Sequence, residues 1–326
     1  MKKFLSILLA LVMFISMIPT VLATDNSVTV NFSVFDGSVI MPNEKITVYD
    51  GIAEEYGYEV ASADHNGNPV NGVTIFDVVV AAHKKLYGDA FTPETANNYL
   101  VMTYSFMTKS FGKDTASAGF FLNNRMPNDG IYNESWGSYT GLACDTAVVK
   151  NNDTITYFFY QDLSSWADYK AEFKENEFNV KTGEEITLSV TAFSSWYGNS
   201  TEETLAANSV KAAGADIFCS DGNGSFKKVA TLDANGEAKI SFEEAGEYSL
   251  YVAGTIAEGP VVIDWAKVTV EKAEEPETPE NPEEPETPDE PAELTFWQKV
   301  VNFFKNIFDK VVACFVWVYN AVISLF

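Results

Sequence analysis

Two histidines and three cysteines are all that this 326-residue chain offers for imidazole or thiolate chemistry. His65 sits in Ala63-Asp64-His65-Asn66-Gly67-Asn68, which has the composition of a turn. His83 lies beside Lys84 and Lys85, late in an amphipathic stretch. Cys144, Cys219 and Cys314 fall in three different segments, so no disulfide framework can form within one domain. A nucleophile at Cys144 needs a histidine that the spacing does not supply, and a buried thiol is the expectation. There is no His-x-x-x-His, Cys-x-x-Cys, Gly-x-Ser-x-Gly or phosphate loop. Asp64, Asn66 and Asn68 alternate like the start of a calcium loop, but no bidentate acid closes it, so a turn is expected. A pair of glycosidase carboxylates could hide among the acids, yet no spacing selects one. The expectation is no catalytic residue, no metal and no cofactor.

What remains is recognition by aromatic rings. Tyr132, Trp136 and Tyr139 stand among Gly, Asn and Ser in MPNDGIYNESWGSYTGLAC, a connection longer than most. Rings in a small polar loop can stack on sugars or anchor a protein partner. Alternatively they fold back over the domain's own core. These three are the candidate ligand-binding residues.

The elements that must carry this loop follow from charge and patterning. The chain has 46 acidic and 21 basic residues, a net charge of −25, which repels phosphate backbones and argues against nucleic acid as partner. Aromatics at 14% exceed what a disordered chain carries. Residues 1–23 read as a secretory signal: Lys2 and Lys3, an apolar run from Phe4 to Ile18, then Pro19 and a cleavage pattern near Ala23. An extracellular, cell-surface location is therefore expected. Residues 272–293 form an acidic Pro-rich linker. Prolines recur every third residue from Pro276 to Pro291, the period of polyproline II, so a stiff, disordered spacer of roughly 70 Å is expected.

Residues 294–326 read as an amphipathic tail helix. Gln298, Asn302, Lys305, Asn306 and Asp309 make a polar stripe of helical period. Phe296, Trp297, Phe303, Phe304, Phe308, Phe315 and Trp317 supply the apolar remainder, and these seven are the candidate membrane-attachment residues. The apolar stretch is short for a span, so attachment to the membrane surface or cell envelope is the expectation, with a partner protein as the alternative.

Between these ends two folded regions are expected, at 24–172 and 173–271. The first opens on an alternating strand, Ser27 to Val34, with a second at Lys45 to Tyr49. Thr74 and Asp77 read as a near capping box for a helix running to Leu86, with Ile75, Val78, Val79, Ala82 and Leu86 on its apolar face, and Gly88 ends it. A second short helix is read at Thr92-Pro93-Glu94. Strands follow at Gly119–Leu122, Thr146–Val149 and Thr154–Gln161. This is the pattern of an α+β, grasp-like domain. The second region holds about seven short strands with turns at Asp221–Gly224 and Asp233–Gly236, the pattern of an all-β sandwich.

Two resemblances refine this. Thr74-Ile75-Phe76-Asp77-Val78-Val79, Leu122-Asn123-Asn124 and Val149-Lys150-Asn151-Asn152-Asp153-Thr154-Ile155 resemble the transcobalamin-like C-terminal domain family of bacterial surface proteins, over about 75–162. Asn replaces that family's turn glycines and tolerates left-handed geometry nearly as well. The resemblance implies a binding or display domain, without a corrinoid-contact signature. DANGEAKISFEEAGEYSLYVAG, with Ala245-Gly246-Glu247-Tyr248 as a tyrosine corner, resembles bacterial immunoglobulin-like surface repeats and implies a stalk. Together these imply an exported, non-catalytic cell-surface protein that displays a binding domain, its ligand an unidentified protein or carbohydrate. The alternatives are a small-molecule capture protein for a corrinoid or carbohydrate, and a secreted hydrolase.

Overall fold

The computed structural model describes residues 27–114, 117–220 and 225–273. The signal, the linker beyond 273, the tail with Phe296, Trp297, Phe303, Phe304, Phe308, Phe315 and Trp317, and the Asp221–Gly224 turn lie outside the described residues. The described chain is mostly β and belongs to one compact unit. Among the described residues no helix is long and apolar enough to cross a membrane.

The first lobe is built on a four-stranded sheet of β1 (Ser27–Phe35), β2 (Val39–Tyr49), β6 (Ala118–Leu122) and β9 (Thr154–Phe159), ordered β2-β1-β9-β6. The β1–β2 hairpin is antiparallel, β9 joins β1 in parallel, and β6 closes on β9 antiparallel. Helix α1 (Ile52–Glu55) and the thirteen-residue α2 (Ile75–Tyr87) belong to this lobe, α2 lying over β2. Val30, Phe32, Val34, Ile155, Tyr157 and Phe159 form one core with α2 residues Ile75, Val78, Val79 and Ala82. Phe35, Phe121 and Phe158 belong to a different apolar cluster. Alternation along a strand separates these two sets. Covering both faces explains why β9 reads TITYFF, an almost continuous apolar run. In β6, Gly119 lies opposite Phe158, and a Cβ there would meet the Phe158 ring at 2.7 Å.

The Thr74–Asp77 pair forms a full capping box: Asp77 N–H donates to Thr74 Oγ1, and Thr74 N–H donates to Asp77 Oδ2 at 2.8 Å. Asn123, Asn124 and Asn152 all have positive φ, as expected of asparagines in left-handed turns. Four expectations need correction. Leu86 is exposed, and His83 takes its place in the buried helix face. The helix read at Thr92 is a turn followed by a single 3-10 turn, Ala96–Asn98. Thr146–Val149 is no strand but one isolated bridge, Thr74 to Val148. The aromatic loop after β6 is a hairpin, β7 (Asn128–Asn133) with β8 (Ser138–Gly141). A small sheet of β3 (Val101–Thr103), β4 (Phe106–Ser110) and β5 (Lys113–Asp114) had no clear sequence signal, its strands being short.

The second lobe is an all-β sandwich. β10 (Tyr169–Phe173) pairs antiparallel with β12 (Glu185–Ser194), whose first half pairs with β16 (Glu237–Ser241) and whose last residues pair with β13 (Ser209–Lys211). β11 (Glu177–Lys181) runs parallel to β18 (Gly259–Glu271), followed in order by β17 (Gly246–Ile256), β14 (Asp216–Ser220) and β15 (Phe226–Thr231). The boundary read at 172/173 falls inside β10. Leu188 and Val190 of β12 share a core with Leu250 and Val252 of β17 and Val268 and Val270 of β18. Gly236 closes the Asp233 turn at φ +72°, where a Cβ would sit 2.5 Å from the Val190 carbonyl oxygen. Tyr248 Oη donates to the Glu244 carbonyl at 2.9 Å, the bond expected of a tyrosine corner.

The lobes meet through a shared apolar cluster. Phe35, Phe121 and Phe158 of the first lobe join Phe193, Tyr251, Ile263 and Trp265 of the sandwich. Phe121 meets Phe193 edge-on at 6.2 Å.

Candidate functional site: an aromatic hairpin

Tyr132 and Tyr139 are directly opposed across the β7–β8 ladder, and their rings meet edge-to-face at 5.3 Å. Trp136 sits in the connecting turn and is 70% exposed; Tyr132 is 40% exposed and Tyr139 half-buried. The turn is shaped by Asn133, whose Oδ1 accepts the backbone N–H groups of Ser135 and Trp136. Gly137 supplies a left-handed residue before β8. The three rings thus stand on one short hairpin, with none in an apolar core cluster.

Both lobes hold this hairpin. The Tyr139 N–H donates to the Asn199 carbonyl at 2.7 Å, and Met126 N–H donates to the Gly198 carbonyl. On the other side, Asp129 Oδ2 accepts from Asn66 Nδ2 at 2.8 Å and lies 3.0 Å from His65 Nε2. A backbone bond from Ile131, then the Asn66 and His65 contacts, hold Asp129 below the usual carboxylate range. Asp64 accepts from the Asn66 and Asn68 backbones and from Asn68 Nδ2. Those bonds make the 64–68 segment an Asx turn, as read from the sequence.

A groove of about 350 Å³ adjoins the hairpin, shared by Tyr139, Asn128 and Gly130 with Gly198, Ser200, Thr201, Arg125 and Glu202. Arg125 donates to both Glu202 oxygens, at 2.8 and 2.9 Å, and to Glu172 at 3.2 Å. Its guanidinium lies over the Phe193 ring, 5.4 Å from the centroid. The Glu202 bonds raise its already high pKa, so it is a fixed cation at the groove edge.

The segment Ser195–Asn199, which braces the hairpin, carries no motif of its own in the sequence. It has the same signal as the hairpin loop: Trp196 and Tyr197 among Ser, Gly and Asn. Trp196 is 69% exposed, its Nε1 donating to the Ser165 carbonyl at 3.0 Å. Trp166, at φ +55°, stands nearby, and its carbonyl accepts from Ser195 Oγ. Exposed rings are therefore present outside the hairpin as well.

The groups weighed for catalysis are committed elsewhere. His83 is buried; its Nδ1 donates to the Val79 carbonyl and its Nε2 accepts from Phe111 N–H at 2.9 Å. Both ring nitrogens are thereby used. Burial pushes the Cys144 thiol up, and its sulfur contacts the Ser105 carbonyl. Among the described residues, no group of three His, Cys, Asp or Glu side chains could hold a metal ion.

No family model matches the chain, and no curated protein matches it. Among solved structures, the N-terminal four Ig domains of Dscam1 isoform 7.44 match at 9% identity, over 77% of this chain and 78% of that chain. The TM-score is 0.19, and a likeness at that level carries no argument.

Proposed function

We propose that the chain is an exported, non-catalytic protein of a bacterial cell surface that binds carbohydrate through the β7–β8 hairpin. One observation carries the reading: Trp136 and Tyr132 are exposed on the same hairpin whose Tyr139 lines a polar groove, and none of the three rings joins an apolar core cluster. An exposed indole and phenol offer flat apolar faces for sugar rings, while Asn128, Ser200 and Thr201 offer hydroxyl and amide partners. A transcobalamin-like, grasp-type assignment for the first lobe is supported by its β2-β1-β9-β6 order with β9 parallel to β1. An immunoglobulin-like assignment for the second is supported by the Tyr248 corner and by β10 pairing with β12 while the next strand, β11, runs parallel to β18.

The test of the binding surface is an array of bacterial and plant glycans probed with the full chain. Trp136→Ala with Tyr132→Ala weakens binding by about tenfold or more, as loss of an aromatic anchor does, while the far-ultraviolet circular dichroism is unchanged. Unchanged binding by the double variant overturns the assignment. The envelope-held part of the proposal rests on the composition of 294–326. A chain lacking those residues appears in the culture medium in a fractionation experiment, and its retention on cells would sink that part.

A further inference from the structure

A second groove, of about 730 Å³, opens between the lobes and shares no lining residue with the one beside the hairpin. Strand register builds its walls. On the first lobe Lys45 of β2, Asn31 of β1 and Thr154 of β9 pair in one row across three strands, and all three line the groove. On the sandwich Glu177 of β11, Lys267 of β18 and Ser249 of β17 form the second row. Both rows prolong the apolar cluster between the lobes. Two-residue steps lead from Phe35 through Ser33 to Asn31 along β1, from Tyr251 to Ser249 along β17, and from Trp265 to Lys267 along β18. The contact between the lobes is therefore apolar at one end and polar at the other.

Asn31 breaks a local rule. It sits within β1 with a paired strand on each side, a place that suits β-branched and aromatic residues and disfavours Asn. Val30 and Phe32 on either side are buried in the core, yet the half-buried Asn31 amide has no side-chain hydrogen bond among the described residues. Lys45 and Glu177 likewise form no ion pair among the described residues, whereas Lys267 is held by Glu247 at 2.7 Å. Departures of this kind concentrate at functional sites.

The lining selects a ligand class. Pockets of this size are usually mostly apolar, but this one presents amides, hydroxyls and charges. Its main ring, Trp265, already packs against Tyr251 and Phe226. The charges cancel: Lys45 and Lys267 stand against Glu177 and Glu247, and Asp264 lies 3.4 Å from the buried Lys170. Such a lining favours neither an anion nor a cation. It offers donors and acceptors to a ligand rich in hydroxyls.

We propose that this groove is a second carbohydrate site, taking a short neutral oligosaccharide that bridges the two lobes. Asn31 supplies an amide donor and acceptor from the first lobe, and the Glu177 carboxylate accepts from the sandwich side. Trp265 belongs both to the apolar cluster and to the groove lining, so it stands where they join. Its Nε1 is buried with no acceptor among the described residues, a donor that a ligand oxygen at that end satisfies. Recognition here is by hydrogen bonding rather than ring stacking, and it does not depend on what the hairpin binds.

The test is isothermal titration calorimetry of the full chain with maltotriose, cellotriose and chitotriose, and with a galacturonic acid trimer as the anionic control. The expected result is binding of at least one neutral probe that survives Trp136→Ala with Tyr132→Ala. Asn31→Ala and Glu177→Ala each weaken it by about threefold to tenfold, the weight of one hydrogen bond. Neither side chain has a hydrogen-bond partner among the described residues, so neither change costs the fold a contact of that kind. No binding of any neutral probe overturns the proposal, as does an affinity unchanged in both wall variants. Tighter binding of the acidic trimer than of the neutral probes overturns the neutral assignment. Binding that is lost in the hairpin variant and untouched by the wall variants places the sugar on the hairpin alone. The reverse pattern keeps the groove and removes the hairpin reading, so the two can fail separately.

Discussion

Asp264→Ala lowers the stability of the folded chain by about 3–5 kcal/mol, the range found when one member of a buried ion pair is removed. The substitution leaves Lys170 without a counter-charge at a site with no exposed surface. It also strips the acceptor from Phe173 N–H, a buried donor. Urea titrations read the loss as a lower midpoint with an unchanged slope.

The pH dependence of that variant has a definite sign. Burial holds the Lys170 amine below its ordinary pKa, so the folded state releases its proton before the unfolded state does. Between those two values the unfolded chain binds more protons, and the variant grows more stable as pH rises toward the ordinary lysine range. Lys170→Met with Asp264→Leu recovers part of the loss, since an apolar pair strands no charge. Lys239→Ala, which removes the exposed Lys239–Glu185 pair, leaves the midpoint nearly unchanged although its 2.7 Å contact is shorter. A loss below about 1 kcal/mol for Asp264→Ala would mean that the amine reaches water.

Acid destabilises the first lobe through His83. The ring is neutral in the fold, and burial lowers its pKa from 6.5 to about 4. Below pH 6.5 the unfolded chain takes up a proton that the folded chain refuses until about pH 4. The contribution is complete above 6.5 and falls by about 3 kcal/mol as the pH drops through that window. Asp77 and Asp168 act in the opposite sense at the acid end, because burial raises both carboxyls and the folded state keeps their protons longer. His83→Leu removes the histidine part of the slope. At pH 7 the same change destabilises by about 1–3 kcal/mol, since Phe111 N–H loses its acceptor. Denaturant midpoints between pH 7 and pH 4 measure both effects. An identical slope in wild type and variant would show that His83 is not the acid-sensitive group.

The sequence carried whatever is decided within a few residues. Thr74 and Asp77 announced the capping box because a helix N-terminus is closed by groups three positions apart. Asn123, Asn124 and Asn152 marked left-handed turns because that geometry is a property of the residue itself. Thr154–Gln161 read as a strand from its β-branched and aromatic residues, and the packing covers it on both faces. The same local rules misplaced Leu86, whose helical spacing matched the apolar face although the packing buries His83 instead. They also rated the 126–144 stretch as a loop, because its polar residues and glycines hide the Tyr132–Tyr139 pairing.

What the tertiary structure alone decided are pairings between distant strands. Glu202 and Glu172 meet Arg125 because α3 (Glu202–Ala207) and β10 are brought beside the turn after β6. Gly198 and Asn199 brace the hairpin only because the sandwich packs on the sheet of the first lobe. Lys170 and Asp264 read as two ordinary charged residues in strands that alternate with apolar ones. Composition and spacing named the chain's charge, turns, several strands and the candidate rings, because each depends on neighbours along the chain; that Trp136 and Tyr132 are exposed was decided by the packing. Which lysine loses all contact with water, and which aspartate faces it, depends on the parallel approach of β10 to β18, and no local pattern encodes that approach.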